Sequence, residues 1–219
     1  MSRWYLTSSL LAHERASRAC SIAALTPAGE CETECFYGQT YQKRADPVAT
    51  FTRRGEQDWV FCAGTLIYAG RTGTGALTAL HADYLLHGIE YVQSTAIGHY
   101  ALAMGHGVSL TMFTDPQASI TLFYAQEGAD WFVATSLQLF GQVGFAGPVD
   151  RDRLLITALE TTTQGDRTFY SGVRRLFGSQ AICIDMSSRV FEVRGVRTCL
   201  LYTSPSPRDR TRSRMPSSA

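Results

Sequence analysis

Gly98-His-Tyr-Ala-Leu-Ala-Met104, Val108-Ser-Leu-Thr-Met-Phe-Thr114, Ile120-Thr-Leu-Phe-Tyr-Ala125 and Trp131-Phe-Val-Ala-Thr-Ser136 follow one another at close spacing. Each run is rich in β-branched and aromatic residues and is ended by Gly, Asp, Pro or Gln, which predicts a meander of antiparallel strands. Leu137-Gln-Leu-Phe140 extends the last run with the same composition.

Outward from this stretch, composition sets the bounds. The chain has 219 residues, 45% of them hydrophobic, which is enough for one sizeable domain with its own core. Lys and Arg number 20 against 19 Asp and Glu, a net charge of +1. That balance offers no electrostatic footprint for nucleic acid or for an anionic membrane. No apolar run reaches membrane-spanning length, and the N-terminus lacks the layout of a signal peptide. The six cysteines are scattered, which predicts a reducing, cytoplasmic setting rather than a disulfide framework.

Before the central stretch, Trp4–Thr7 reads as a short strand and Leu10–Cys20 as a helix. Pro27-Ala-Gly29 reads as a turn, Glu34–Tyr41 as a strand, Arg44–Pro47 as a loop and Val48–Arg53 as another strand, with a turn at Gly55. Trp59–Ala63 runs into Gly64-Thr-Leu-Ile-Tyr68. Gly70-Arg-Thr-Gly-Thr-Gly75 lacks the Gly-Lys-Ser/Thr ending of a phosphate loop and the spacing of a dinucleotide loop. It reads as a strand-to-helix turn capped by Thr72 or Thr74. Leu77, Leu80, Tyr84 and Leu85 then form one face of a helix from Ala76 to His87, ended by Gly88. Further on, Asp150 caps a helix over Arg151–Glu160 with Leu154, Leu155 and Ala158 as its apolar stripe, and closing strands run from Val173 to Val193. His81 and His87 do not share a helical face, and Cys31 and Cys35 lack a second ligand pair, so no metal site is expected.

Several of these residues resemble the glutamine amidotransferase domain of the asparagine synthetase family. Gly98, Tyr100 and Ala101 match its Gly-x-Phe/Tyr-Ala strand, Asp115 its Arg-Asp-x-x-Gly turn, and Leu122, Phe123 and Tyr124 its Pro-Leu-Tyr-Tyr strand. Ala134 and Ser136 match its Phe-Ala-Ser-Glu strand-to-helix step. Phe169–Gly178 is similar to its Leu-Phe-x-Gly-Ile-x-Arg-Leu-x-Pro-Gly segment, with Arg175 at the arginine. The resemblance implies an α+β fold of Ntn-hydrolase type: an αββα four-layer sandwich, two antiparallel sheets with helices outside.

The same resemblance implies a chemistry whose parts are missing. The family's nucleophile is an N-terminal cysteine whose own α-amine serves as base; this chain begins Met1-Ser2-Arg3. The family's oxyanion hole is an Asn side chain and the next Gly N–H; here Ala63 and Gly64 stand in that place. The family's substrate-anchoring acid has no counterpart in Thr72–Gly75. The implied reading is a glutaminase-inactive amino domain of an ATP-dependent amide-forming ligase, similar to the β-lactam synthetase and lasso-peptide cyclase branch. Its partner is a synthetase domain later in the same chain, which alone would take ATP and Mg; this domain is expected to hold no cofactor. Two other readings stay open: an active amidohydrolase with Ser2 as nucleophile, and an unrelated α+β binding domain.

Two expectations concern the end of the sequence. Cys199–Asp209 and Ser213–Ala219 look like two segments of a translated sequencing adapter in one frame, so the domain is taken as 1–198 and 199–219 as an adapter-derived, disordered tail. An interface for the missing domain is expected among the late apolar residues Phe169, Tyr170, Leu176 and Phe177.

Overall fold

The computed structural model describes residues 3–42, 51–53, 58–160 and 165–196. The adapter-like tail, Ser2, the 44–47 loop, residues 48–50 of the expected strand and the Gly55 turn lie outside them. Two six-stranded sheets, antiparallel throughout, carry the fold. The first contains β1 (Arg3–Thr7), β2 (Thr26–Glu32), β3 (Tyr37–Gln42), β8 (Phe123–Glu127), β9 (Asp130–Ala134) and β10 (Arg174–Arg175), in the order β10-β8-β9-β1-β3-β2. The second contains β4 (Phe51–Arg53), β5 (Trp59–Ile67), β6 (Ile97–His106), β7 (Ser109–Thr114), β11 (Gln180–Asp185) and β12 (Val190–Gly195), in the order β12-β11-β7-β6-β5-β4. Among the described residues there are four helices: α1 (Leu10–Ile22), α2 (Gly73–Thr95), α3 (Leu137–Val143) and α4 (Arg151–Glu160).

Strands such as β1 and β5 are apolar on both faces because both faces are covered. Along β1, Trp4 and Leu6 enter the core between the sheets while Tyr5 points to the opposite side. Along β5, Trp59, Phe61 and Ala63 face inward, and Val60 and Cys62 face outward. Three buried clusters therefore mark three spaces between layers. One lies between the sheets. A second holds Ala76, Leu77, Leu80 and Val92 of α2 against β5, β6 and β7. The third holds α1 and α3 against β1, β3 and β9. This is the αββα sandwich, with Leu77 and Leu80 packing α2 onto the second sheet as their spacing predicts.

Five local expectations need correction. Pro27–Gly29 is no turn: it lies in β2, with a bulge between Pro27 and Gly29. A proline survives there because β2 is an edge strand. The expected 34–41 strand begins only at Tyr37, since Thr33–Phe36 close the β2–β3 hairpin through Thr33. The central runs are not one continuous meander. β6 and β7 form a hairpin in the second sheet and β8 and β9 a hairpin in the first, with Asp115–Leu122 crossing between them. Leu137–Phe140 is helical, buried through Leu139 and Phe140. Gly88 does not end its helix; it kinks α2 with φ 80° and ψ −174°, and the helix resumes as far as Thr95.

No helix among the described residues is long and apolar enough to cross a membrane.

Candidate functional site

The site implied by the resemblance is built where β1 begins and β5 and β6 face it across the sandwich. The first strand is fixed on both sides. The Thr40 hydroxyl donates to the Arg3 carbonyl (3.3 Å), Trp4 N–H donates to Thr135 Oγ1 (3.2 Å), and Thr135 N–H donates to the Trp4 carbonyl (3.1 Å). Across the inter-sheet space, Trp4 Nε1 donates to the carbonyl of Ala101 (3.0 Å). Ala101 is the register partner of Ala63, and Tyr100 that of Gly64. One indole thus ties the start of the chain to the strand pair carrying the 63–64 step. Sequence order alone, with Trp4 and Ala101 ninety-seven positions apart, gave no sign of this bond. Ser2 itself lies outside the described residues.

Ala63 is fully buried in the inter-sheet core, in one cluster with Trp4, Ala101, Ile120 and Leu122. Its methyl group offers no hydrogen-bond donor. Gly64 has φ +99°, and a Cβ at that position would collide with the His99 carbonyl and with Ile120 Cδ1. Glycine is required here for backbone conformation and for close approach. Ile120 is the residue the sequence reading missed: its place against Gly64 depends on how the chain crosses between sheets. At the matching Gly98, φ +122°, a Cβ would likewise collide with the Thr65 carbonyl across the same pair of strands.

Asp115 organises that crossing. Buried at 3% exposure, its carboxylate accepts from the N–H groups of Tyr100 (3.3 Å), Gln117 (3.1 Å) and Ser119 (3.1 Å) and from the Ser119 hydroxyl (3.0 Å). Gln93 Nε2 donates to the carbonyls of Thr114 (2.8 Å) and Gly178 (3.1 Å), joining α2 to this turn and to the late motif. Leu176, the apolar residue of that motif, is buried and its N–H donates to Leu122 O (2.8 Å). The motif residues from two distant stretches therefore meet, but as structural supports. Tyr100 turns its ring away from the site, under α2, where burial pushes its phenol pKa up. Ser136 stands at the step from β9 to α3 and is its N-cap by position.

Other candidates disperse. Tyr68 and Arg71 pair their backbones around Ala69 and Gly70 in a tight turn, and Thr72 begins α2 with no side-chain capping bond. Thr74 lies inside the helix. Arg174 pairs with Asp166 and holds that carboxyl below the usual range. Arg175 donates from Nε to the Gly165 carbonyl, and its guanidinium sits 5.3 Å from the Phe177 ring centre, beside a cleft of about 330 Å³ that also borders the Pro116–Ala118 turn. His106 pairs with Asp58 (2.6 Å), His13 with the Tyr5 hydroxyl (3.1 Å), and His81 is buried on α2. Among the described residues, no group of three or more His, Cys, Asp or Glu is placed to share a metal ion.

No family model and no curated protein matches the sequence. Solved structures do match. Glutamine phosphoribosylpyrophosphate amidotransferase from B. subtilis, solved with ADP and GMP, superposes with a TM-score of 0.50 at 12% identity, over 89% of this chain and 49% of its own. The structure described as the allosteric regulatory enzyme of purine biosynthesis superposes with a TM-score of 0.51 at 11% identity, over the same shares. The chain has an Ntn-type glutamine amidotransferase fold. At such identities it is the fold that carries over, and the chain spans about half the length of these neighbours.

Proposed function

We propose that this chain is the amino-terminal, glutaminase-inactive domain of an asparagine-synthetase-like, ATP-dependent amide-forming ligase. The observation that carries the reading is the Ala63–Gly64 step. A glutaminase needs a donor aimed at the developing oxyanion, and removing one such donor costs about 2.7–4 kcal/mol of transition-state stabilisation. Here the side-chain position is a methyl group in a dry core, and Ile120 packs against the glycine. The sequence also lacks an acid within Thr72–Gly75. Two functions that must act together are thus absent together.

In this reading the amine comes from the substrate of the ligase, so ammonia is not needed and the fold is kept for architecture. ATP and Mg belong to a synthetase domain beyond about Thr198. That the chain covers about half of each fold neighbour fits a two-part polypeptide. The tail from Cys199 is assigned to the adapter rather than to the protein.

The purified chain is expected to release no ammonia from glutamine above background, with the Ser2→Ala variant indistinguishable from it. Glutamine turnover that vanishes in Ser2→Ala would make the domain an N-terminal serine amidohydrolase instead.

A further inference from the structure

The cleft beside Arg175 has two walls, and each is fixed from behind. One wall is the Pro116–Ala118 turn. There Asp115 Oδ1 accepts from Gln117 N–H (3.1 Å) and the Asp115 carbonyl accepts from Ala118 N–H (2.8 Å). The other wall runs from Arg175 to Ser179. Leu176 N–H donates to Leu122 O (2.8 Å), Phe177 N–H to Gln180 Oε1 (3.1 Å) and Gln180 N–H to Phe177 O (3.0 Å). The walls meet at Gly178, where a Cβ would collide with the Pro116 carbonyl. Gln93 ties both sides to α2 through Thr114 O and Gly178 O. A cleft held in this way is formed before any ligand arrives, so little ordering is left for binding to supply.

The lining has a definite chemistry. Among the described residues that line the cleft, Arg175 is the one charged side chain, and Gln117, Thr121 and Ser179 add polar side chains that can donate hydrogen bonds. The guanidinium is held in place. The Arg175 backbone is paired with Phe123 of β8, its Nε donates to the Gly165 carbonyl, and its Cζ lies 5.3 Å from the Phe177 ring centre, within cation–π range. A neutral carbonyl and a ring orient the charge without cancelling it. An arginine fixed like this loses little rotamer freedom when it meets an oxyanion, and its planar fork matches a carboxylate or a phosphate. The volume of about 330 Å³ exceeds a bare ion and sits at the small end of ligand pockets, about 300–1,000 Å³. The late apolar residues expected to lie open as an interface do not. Leu176 is buried, Phe177 is half-buried beneath Arg175, and the half-buried Phe169 and Tyr170 pack on each other.

We propose that this cleft is a binding site for a small organic anion, whose carboxylate or phosphate pairs with Arg175 while Gln117, Thr121 and Ser179 hydrogen-bond to the same molecule. The site lies at the crossing between the sheets, apart from the Ala63–Gly64 step, and it stands whether or not the ligase reading does.

The test titrates the full chain with glycerol phosphate and, separately, with succinate, reading backbone amide NMR shifts. Saturable shifts centred on 116–121 and 175–179 are expected with at least one probe. Saturation by glycerol phosphate alone assigns the site to phosphates, by succinate alone to carboxylates, and by both to oxyanions at large. Arg175→Gln should weaken the binding by about tenfold or more, because a charge-assisted pair is lost. That variant also gives up the hold on Gly165 and Phe177, so a second one leaves Arg175 untouched. Gln117→Glu, at an exposed position on the facing wall, places a carboxylate in the cleft and should abolish binding of both probes while the remaining amide shifts keep their native positions. Unchanged affinity in Gln117→Glu would overturn the site. So would shifts that are scattered over the chain without saturating, or no saturable shift with either probe.

Discussion

At the scale of single residues, the Asp115 turn shows how a motif is kept while its contents change. Asp115 gathers three backbone N–H groups and one hydroxyl onto a buried carboxylate. Asp115→Ala would strand those donors and is expected to cost about 3 kcal/mol or more, since bonds to a charged group contribute about 1.5–3 kcal/mol each and do not simply add. Denaturant unfolding would read the loss; an unchanged midpoint would contradict it. Three residues on, Ala118 has φ +50°, and its N–H donates to the Asp115 carbonyl (2.8 Å). An L-residue in this left-handed conformation costs about 1–2 kcal/mol, while glycine loses about 0.4–1 kcal/mol more chain entropy on folding. Ala118→Gly is therefore expected to stabilise the protein by up to about 1 kcal/mol, seen as a raised Tm. Asp115 and Ala63 were legible as positions because their neighbours keep a recognisable spacing. Ile120 was not, since nothing in a β-rich run says which residue will lie against a glycine on another strand.

At the scale of elements, legibility followed how far local pattern and tertiary role agree. β1, β5, α1 and the first half of α2 were readable from composition and periodicity. Leu137–Phe140 misled because it has strand-like composition but is helical; Leu139 and Phe140 bury themselves against Phe132 and its neighbours. Gly88 misled differently. Glycine with positive φ usually closes a helix, yet here the chain turns and continues to Val92 and Gln93, both buried. The bend sets the second half of α2 so that Gln93 reaches Thr114 and Gly178. A φ of 80° with ψ −174° is open essentially to glycine alone. Nothing lies within 4 Å of a Cβ at Gly88, so substitution meets backbone strain and no steric obstacle. Gly88→Ala is expected to cost about 1–3 kcal/mol and to loosen the Gln93 contacts. Unchanged stability would mean that the kink is not needed to place Gln93.

At the scale of the whole molecule, each space between layers contains a fully buried thiol: Cys31 between the sheets, Cys62 beneath α2 (with the half-buried Cys183 beside its cluster) and Cys20 beneath α1. Burial pushes Cys20 and Cys31 up to about 11 and Cys62 up to about 12, from an ordinary value of 9.0. In the unfolded chain these thiols ionise near the ordinary value, while in the folded protein they keep their protons to higher pH. Folded stability is thus complete below about pH 9 and falls as pH rises toward the folded values, because the unfolded state binds fewer protons there. The buried phenols of Tyr5, Tyr68 and Tyr100 are pushed up in the same direction and extend the loss. Cys62 gives the sharpest test, since it is fully enclosed. Between about pH 9 and about pH 12 it should contribute a slope of up to about 1.4 kcal/mol per pH unit. Cys62→Ala lowers stability at neutral pH by leaving a small void, and its effect should shrink as pH rises, because the variant no longer has that thiol to ionise on unfolding. Unfolding free energies at pH 8, 9, 10 and 11 should therefore converge for the two proteins. Parallel curves would mean that the layer beneath α2 admits water and that the thiol is not held neutral by burial.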